Sequence, residues 1–408
     1  MREAQVVIVG GGPAGSSTAY FLAKAGIDVL VLDRAKFPRD KPCSEYLSPQ
    51  ASRVLDAMGA LDEIENSGAA QLTGMRVHAP NGATIHGEFG TVRGFRGYRD
   101  RGLAVRRTIL DEILLNRARS AGARIEESVR VTDVARDSHH RVVGVTTIGG
   151  GVTKTMSSDL VIGADGLRSV VGRRLGLIRA SRWPKRIALV THFRNVSGVG
   201  AYGEMHVDRE GYLGFADVGN GLTNVAVVVP TSRAAEVALD RTEFLESWIA
   251  ERPQIAEHFS EAERVDPVRA TGPFASAARR ACAPGAALVG DAADFFDPFT
   301  GEGIYAALRG GELLAGYVTD AIGEHALVRD NALREYDRAR RAEFSGKWKV
   351  EKFVGAAVAF PALMNRAAKV LSRRRDMADT LIGVVGDFVP AREVLSPRYL
   401  LRLMFGPT

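Results

Sequence analysis

The aliphatic run at residues 6–9 gives way to a glycine-rich loop at 10–15. Apolar positions then recur at helical spacing over 16–25, and a second aliphatic run at 28–32 ends in Asp33. This order predicts strand, loop, helix and strand, a βαβ unit. Residues 72–89 place Asn81-Gly82 between two alternating runs, which predicts a hairpin. Leu110, Ile113, Leu114 and Ala118 fall on one face of an amphipathic helix over 107–121. A β-rich stretch at 126–147 leads to DLVIGADG at 159–166. From 186 to 230 the pattern changes to short strands broken by glycines, predicting an antiparallel sheet. A strand returns at 286–289, a helix follows at about 303–322, and 331–408 reads as helices.

The fold class expected is therefore α/β, with a discontinuous Rossmann-type dinucleotide-binding domain over 1–71, 103–178 and 270–330. An antiparallel β substrate domain takes 72–102 and 179–269, and a helical region takes 331–408. With 46% hydrophobic and 25% charged residues in 408, the composition excludes disordered and fibrous classes. Cys43 and Cys282 are too few for a disulfide framework, and no metal-ligand spacing occurs, so no metal is expected. The first strand begins too early for a secretory leader, and the longest uncharged apolar run, 353–365, is too short to span a bilayer. The expectation is a cytoplasmic protein without a transmembrane segment.

The formal charge of +6 is concentrated at one end, since residues 331–408 carry 15 Lys/Arg against 8 Asp/Glu. No aromatic-interleaved basic stripe points to nucleic acid. The basic segment is read as a solvated helical face or as a weak contact with an anionic membrane surface. Flanked by lysines and arginines, residues 353–365 would either roof a cavity or sit on such a surface. Nothing in the sequence indicates an oligomeric state.

Gly10, Gly12 and Gly15 form GxGxxG at the strand-to-helix junction. The first permits the tight turn, the second admits a pyrophosphate to the backbone, and the third allows close helix packing. Ala14 within this loop joins the phosphate site, and Asp33 with Arg34 stands at the ribose position. NAD and FAD proteins share this fingerprint, so other motifs must choose between them.

GGGPAGSS at 10–17, VRRTILD at 105–111, DLVIGADGLRSVVGRRLGL at 159–177 and GDAADFFDPFTGEGI at 290–304 occur in one order along the chain. In this set the chain resembles the FAD-dependent oxidoreductase family of aromatic hydroxylases, flavin halogenases and geranylgeranyl reductases, over about residues 5–320. The resemblance implies FAD, with NADPH or NADH as co-substrate. It assigns Asp291 to the ribityl chain, Arg107 to FAD, Val131 to the adenine side and Asp165 to the DG motif. The helix start with Pro298, Gly301, Gly303 and Ile304 would face the flavin pyrimidine. A cap for the helix at 168–175 is the structural alternative for Asp165.

Asp294 and Gly301-Glu302-Gly303 are similar to the geranylgeranyl reductase-like branch, as is FPRDKPCSEYLSP at 37–49, which puts Cys43 and Ser44 beside the flavin. The halogenase signature WxWxIP is absent. Two departures weaken a reductase reading: Ser44 replaces the glycine of a PCG triplet, and YLGFADV at 212–218 lacks the tryptophan and Pro-Lys of the reductase motif. Candidate catalytic residues are Cys43, His192 and His206, each with a packing alternative. Tyr212, Leu213, Phe215 and Phe296 are the candidate substrate contacts, with Phe295 and Phe299 beside them. The leading expectation is an NAD(P)H-dependent monooxygenase hydroxylating an apolar aromatic or polyketide-like small molecule. Reduction of C=C bonds in a prenyl or lipid chain is the alternative, and a non-catalytic flavin-binding interaction module is the third.

Overall fold

The computed structural model describes residues 2–180, 185–324 and 330–406. Its first sheet grows around Ala4–Val9, which pairs in parallel with Val29–Leu32 on one side and Val152–Gly163 on the other. Val6, Ile8, Leu30 and Val161 are fully buried, because helices cover both faces of the parallel strands. Ala286–Leu288 joins beyond Val152–Gly163, and Arg124–Glu126 beyond Val29–Leu32. The helix Pro13–Lys24 starts with proline at its first turn, where a missing N–H costs nothing, and packs against Gly303–Glu324. Chain segments far apart in sequence thus share one dinucleotide-type layer.

The second sheet has the order Glu263–Arg264, Arg186–Arg194, Thr223–Pro230, Gly211–Asp217, Tyr202–Asp208, Gly74–His78, Thr84–Glu88. The hairpin at 74–88 forms as expected, turning at Gly82 with φ 80°. One junction departs from the antiparallel expectation, since Gly74–His78 runs parallel to Tyr202–Asp208. More than a hundred residues separate these strands, so no tight turn fixes their relative direction.

Both faces of this sheet are buried. Leu189, Leu213, Phe215 and Val227 pack with Leu245 and Trp248 of the helix Arg241–Ala250. Val190, Met205, Tyr212 and Val228 face the C-terminal helices. Those helices are Asp330–Ala359, Pro361–Leu371, Arg375–Val385, Arg392–Leu395 and Pro397–Phe405. At Phe360 the first two bend by 111°, where Pro361 removes a helical N–H and pushes Phe360 to an extended conformation. No single described helix is long and apolar enough to cross a membrane.

A candidate flavin and substrate site

The glycine loop is crowded in two places and open in a third. A Cβ on Gly15 would stand 1.8 Å from the Gly10 carbonyl oxygen, and one on Gly10, at φ 103°, 2.5 Å from the Ala164 carbonyl. On Gly12 it would meet only the tips of Arg39 and Arg107, at 3.3 and 4.0 Å. Gly12 caps its helix without any side-chain hydrogen bond, leaving N–H groups directed at the space these guanidiniums share. A helix N-terminus and two arginines around an uncrowded glycine is the chemistry of a pyrophosphate site.

Asp33 holds the loop in place by accepting hydrogen bonds from Gly11 N and Ala35 N, both at 2.8 Å. Its carbonyl accepts from Val129 N, which brings the strand of buried Val131 alongside. Arg34 is exposed, and Ala14 packs against the turn at Gly290. Arg107 is buried and donates twice to Asp111 at 2.7 Å, while Arg39 reaches the same carboxylate at 3.0 Å. Burial opposes the Arg107 charge, but Asp111 outweighs it and raises the pKa. Arg39 lies within the FPRDKPCSEYLSP stretch, where sequence reasoning gave it no role of its own.

Across the loop, Gly290 turns at φ 63° and presents Asp291, whose carboxylate lies 3.6 Å from Lys41 Nζ. Gly166 and Gly303 border the same space, 3.6 Å from Lys41 Nζ and 3.9 Å from Asp291 Oδ1 as measured from an added Cβ. Asp165 does cap a helix, accepting from Val170 N at 2.6 Å, yet its Oδ1 is buried without a hydrogen-bond partner. Burial pushes this carboxyl up. Asp297 caps the turn Pro298–Thr300 and is buried against Arg186, which also donates to the Gly355 carbonyl. Gly301, at φ 69°, lies against Tyr46 and Ser44, so the 43–46 turn and the 298–303 segment are neighbours. Ile304 packs below with Leu47 and Leu110.

Glu45, for which the sequence leaves substrate binding or a solvent-facing position open, is buried in that turn. It is non-glycine at φ 61° and only 1% exposed. Its carboxylate accepts from Arg107 N at 2.8 Å and Asn224 Nδ2 at 3.1 Å, and it meets His192 Nε2 at 2.7 Å. The other His192 nitrogen lies 2.8 Å from Asp266 Oδ2, a carboxylate one-quarter exposed. Cys43 contributes its carbonyl to Asn224 and its sulfur to the Glu45 N–H. Burial works against a charged His192, but Glu45 prevails and the pKa is raised. This pairing therefore stabilises the fold in full below the ordinary value of 6.5, and that contribution is lost as pH rises through the elevated pKa. Glu45→Gln is expected to bring the His192 titration below its wild-type midpoint, since burial then acts without the carboxylate; NMR titration of the imidazole measures it.

An apolar cavity opens beside Phe299 and Thr300, with about 840 Å³ of empty space when its opening to solvent is included. The second sheet supplies Met75, Val77, Ile85 and Met205; most of the lining comes from the C-terminal helices, including Phe353, Val354, Ala357 and Met364 of the 353–365 run. Several expected contacts lie elsewhere. Leu213 and Phe215 point to the opposite face, because strand side chains alternate and Tyr212 is the one turned to the cavity side. Tyr212 is itself buried behind the wall, its hydroxyl donating to Asp297 and its ring 4.9 Å from Phe299. Phe296 packs on Trp348 and Lys352 outside the lining. His206 also faces away from the cavity, stacked on His78 and Phe215, so it is no general base for a substrate there.

Residues 3–348 match the family described as FAD binding domain. The chain belongs to that family. This FAD-dependent oxidoreductase is 32% identical over 349 residues to the menaquinone reductase of Mycobacterium tuberculosis, covering 77% of this chain and 76% of that one. It is 30% identical over 353 residues to digeranylgeranylglycerophospholipid reductase 1 of Methanococcoides burtonii, covering 84% and 80%. The crystal structure of CmlS, a flavin-dependent halogenase, superposes with a TM-score of 0.77 at 25% identity, over 94% of this chain and 72% of that one. By their place around the glycine loop and the turn at Gly290, Gly12, Arg39, Arg107, Asp33 and Asp291 are the residues that would hold FAD.

Proposed function

We propose that this oxidoreductase saturates carbon-carbon double bonds in an isoprenoid-type hydrocarbon chain, drawing electrons from NADPH or NADH. One observation carries the reading. Among the cavity-lining residues only Thr300 and Tyr399 carry hydroxyls, and both are engaged, Thr300 with Glu302 at 3.2 Å and Tyr399 with the Met377 carbonyl at 2.9 Å. A phenolic or polyketide substrate needs polar groups to fix its orientation, whereas a hydrocarbon chain needs only shape and apolar walls. The expected monooxygenase chemistry is thus the weaker reading. The two reductases above support the stronger one, as their names refer to isoprenoid lipids.

Bound FAD would supply the hydride transfer. The chain excludes water with its apolar cavity, positions the substrate at Phe299 and Thr300, and holds a proton at His192 Nε2, 2.7 Å from the Glu45 carboxylate. Overall, one double bond, one NAD(P)H and one proton give a saturated bond and NAD(P)⁺. An oxygen electrode tests this: substrate-dependent NAD(P)H oxidation should proceed without matching oxygen uptake, and stoichiometric uptake would restore the monooxygenase.

A lipid chain has to reach the cavity, and the helix Pro397–Phe405 is built for both sides of that passage. Tyr399 and Leu403 line the cavity, while Leu401 and Phe405 are 58% and 79% exposed beside Arg398 and Arg402. The protein is therefore expected to co-sediment with anionic vesicles. The double change Leu401→Ser and Phe405→Ser should weaken this by about tenfold or more without loss of flavin.

A further inference from the structure

The parallel junction of the second sheet sets His78 opposite His206, and Arg76 opposite Glu204. Because side chains alternate along a strand, His78, Glu204 and His206 emerge on one face, away from the cavity. Each offers a ligand atom, and these atoms all lie within 4.8 Å of one another. His78 Nε2 is 2.8 Å from Glu204 Oε2, while its Nδ1 is 3.1 Å from Thr84 Oγ1. A second partner on the remote ring nitrogen is what orients imidazole ligands in metal sites.

His206 is the decisive member. It is 9% exposed, its Nε2 is buried without a hydrogen-bond partner, and its ring stacks 4.3 Å from that of His78. A buried ring nitrogen with no partner is an unmet bonding capacity.

We propose that His78, Glu204 and His206 bind one divalent transition-metal ion of the zinc class. Two imidazoles and one carboxylate suit zinc, cobalt or nickel, and lack the oxygen ligands that calcium or magnesium requires. Three protein ligands leave a position for water, and His258 borders the site with its ring 5.8 Å from that of His206. Arg76, 3.2 Å from Glu204, balances the carboxylate in the metal-free form. Its guanidinium also lies over the Tyr202 ring at 4.2 Å, so it keeps a partner when Glu204 turns to a metal. On the reverse face, the same two strands carry Met75, Val77 and Met205 into the cavity wall, and the ion would pin them together.

The test uses the full-length, tag-free, FAD-loaded protein after chelator dialysis, titrated with Zn²⁺ by calorimetry and with Co²⁺ by absorbance at wavelengths beyond the flavin bands. One saturable equivalent is expected, with a melting temperature that climbs with Zn²⁺ concentration. His206→Ala and His78→Gln should each weaken binding at least about tenfold at unchanged flavin content, while His140→Ala, in an exposed turn, should not. Should His206→Ala fail to fold, half-exposed His78 decides through its own variant. Absence of a saturable equivalent, or binding indifferent to His78→Gln, overturns the site.

Discussion

Gly12→Val is expected to give a folded but colourless protein. A Cβ there meets only the ends of Arg39 and Arg107, at 3.3 and 4.0 Å, so the added bulk presses on two side chains and not on the backbone. It does fill the space where the helix N-terminus and two guanidiniums converge, displacing a pyrophosphate from its hydrogen bonds. Loss of about 3 kcal/mol there corresponds to roughly a hundredfold weaker FAD binding. Gly15→Ala makes the contrast, because its Cβ collides with the Gly10 carbonyl at 1.8 Å and the loop itself must give way. Circular dichroism with flavin absorbance separates the two outcomes. Wild-type flavin content in Gly12→Val would remove the phosphate from this position.

Ala357→Trp should abolish useful turnover of a long chain while leaving the flavin bound. Ala357 lies on the cavity wall, and the indole can extend into free volume rather than into packed neighbours, so the fold has room for it. An indole there excludes roughly four methylenes of substrate. At about 0.8 kcal/mol each, the affinity loss is near 3 kcal/mol, or roughly 200-fold. Titration of the flavin spectrum with substrate, alongside steady-state KM, measures it. Unchanged affinity would place the substrate outside this cavity.

Much of this arrangement is legible in the chain because it is local. The glycine loop with Asp33, the Asn81-Gly82 hairpin and the helix starting at Arg107 each depend on neighbours in sequence, and each forms where the pattern puts it. Sidedness is different. Gly211–Asp217 is buried on both faces, so its sequence carries no polar alternation to tell Tyr212 from Leu213 and Phe215. His206 is a different case, because Tyr202–Asp208 does alternate, with Glu204, His206 and Asp208 on the face opposite Met205 and Val207, and the assignment of His206 to the substrate ran against that pattern. Arg39 and Glu45 enter the site only through tertiary contacts, and Glu45 occupies a backbone conformation that its residue type does not advertise. Likewise, the helical region was legible as helices, and its run at 353–365 as a candidate roof. That these helices supply most of the cavity wall depends on the 111° bend at Phe360, which packs them over the sheet.

Reaction type is the central claim, and the mass of the product tests it most directly. The FAD-loaded protein is incubated with NADPH or NADH and a polyprenyl lipid, in parallel under argon and in air, and the lipid is analysed by mass spectrometry. Saturation predicts a product heavier by two hydrogens per turnover, formed equally well under argon. A product heavier by one oxygen, formed only in air, would contradict it.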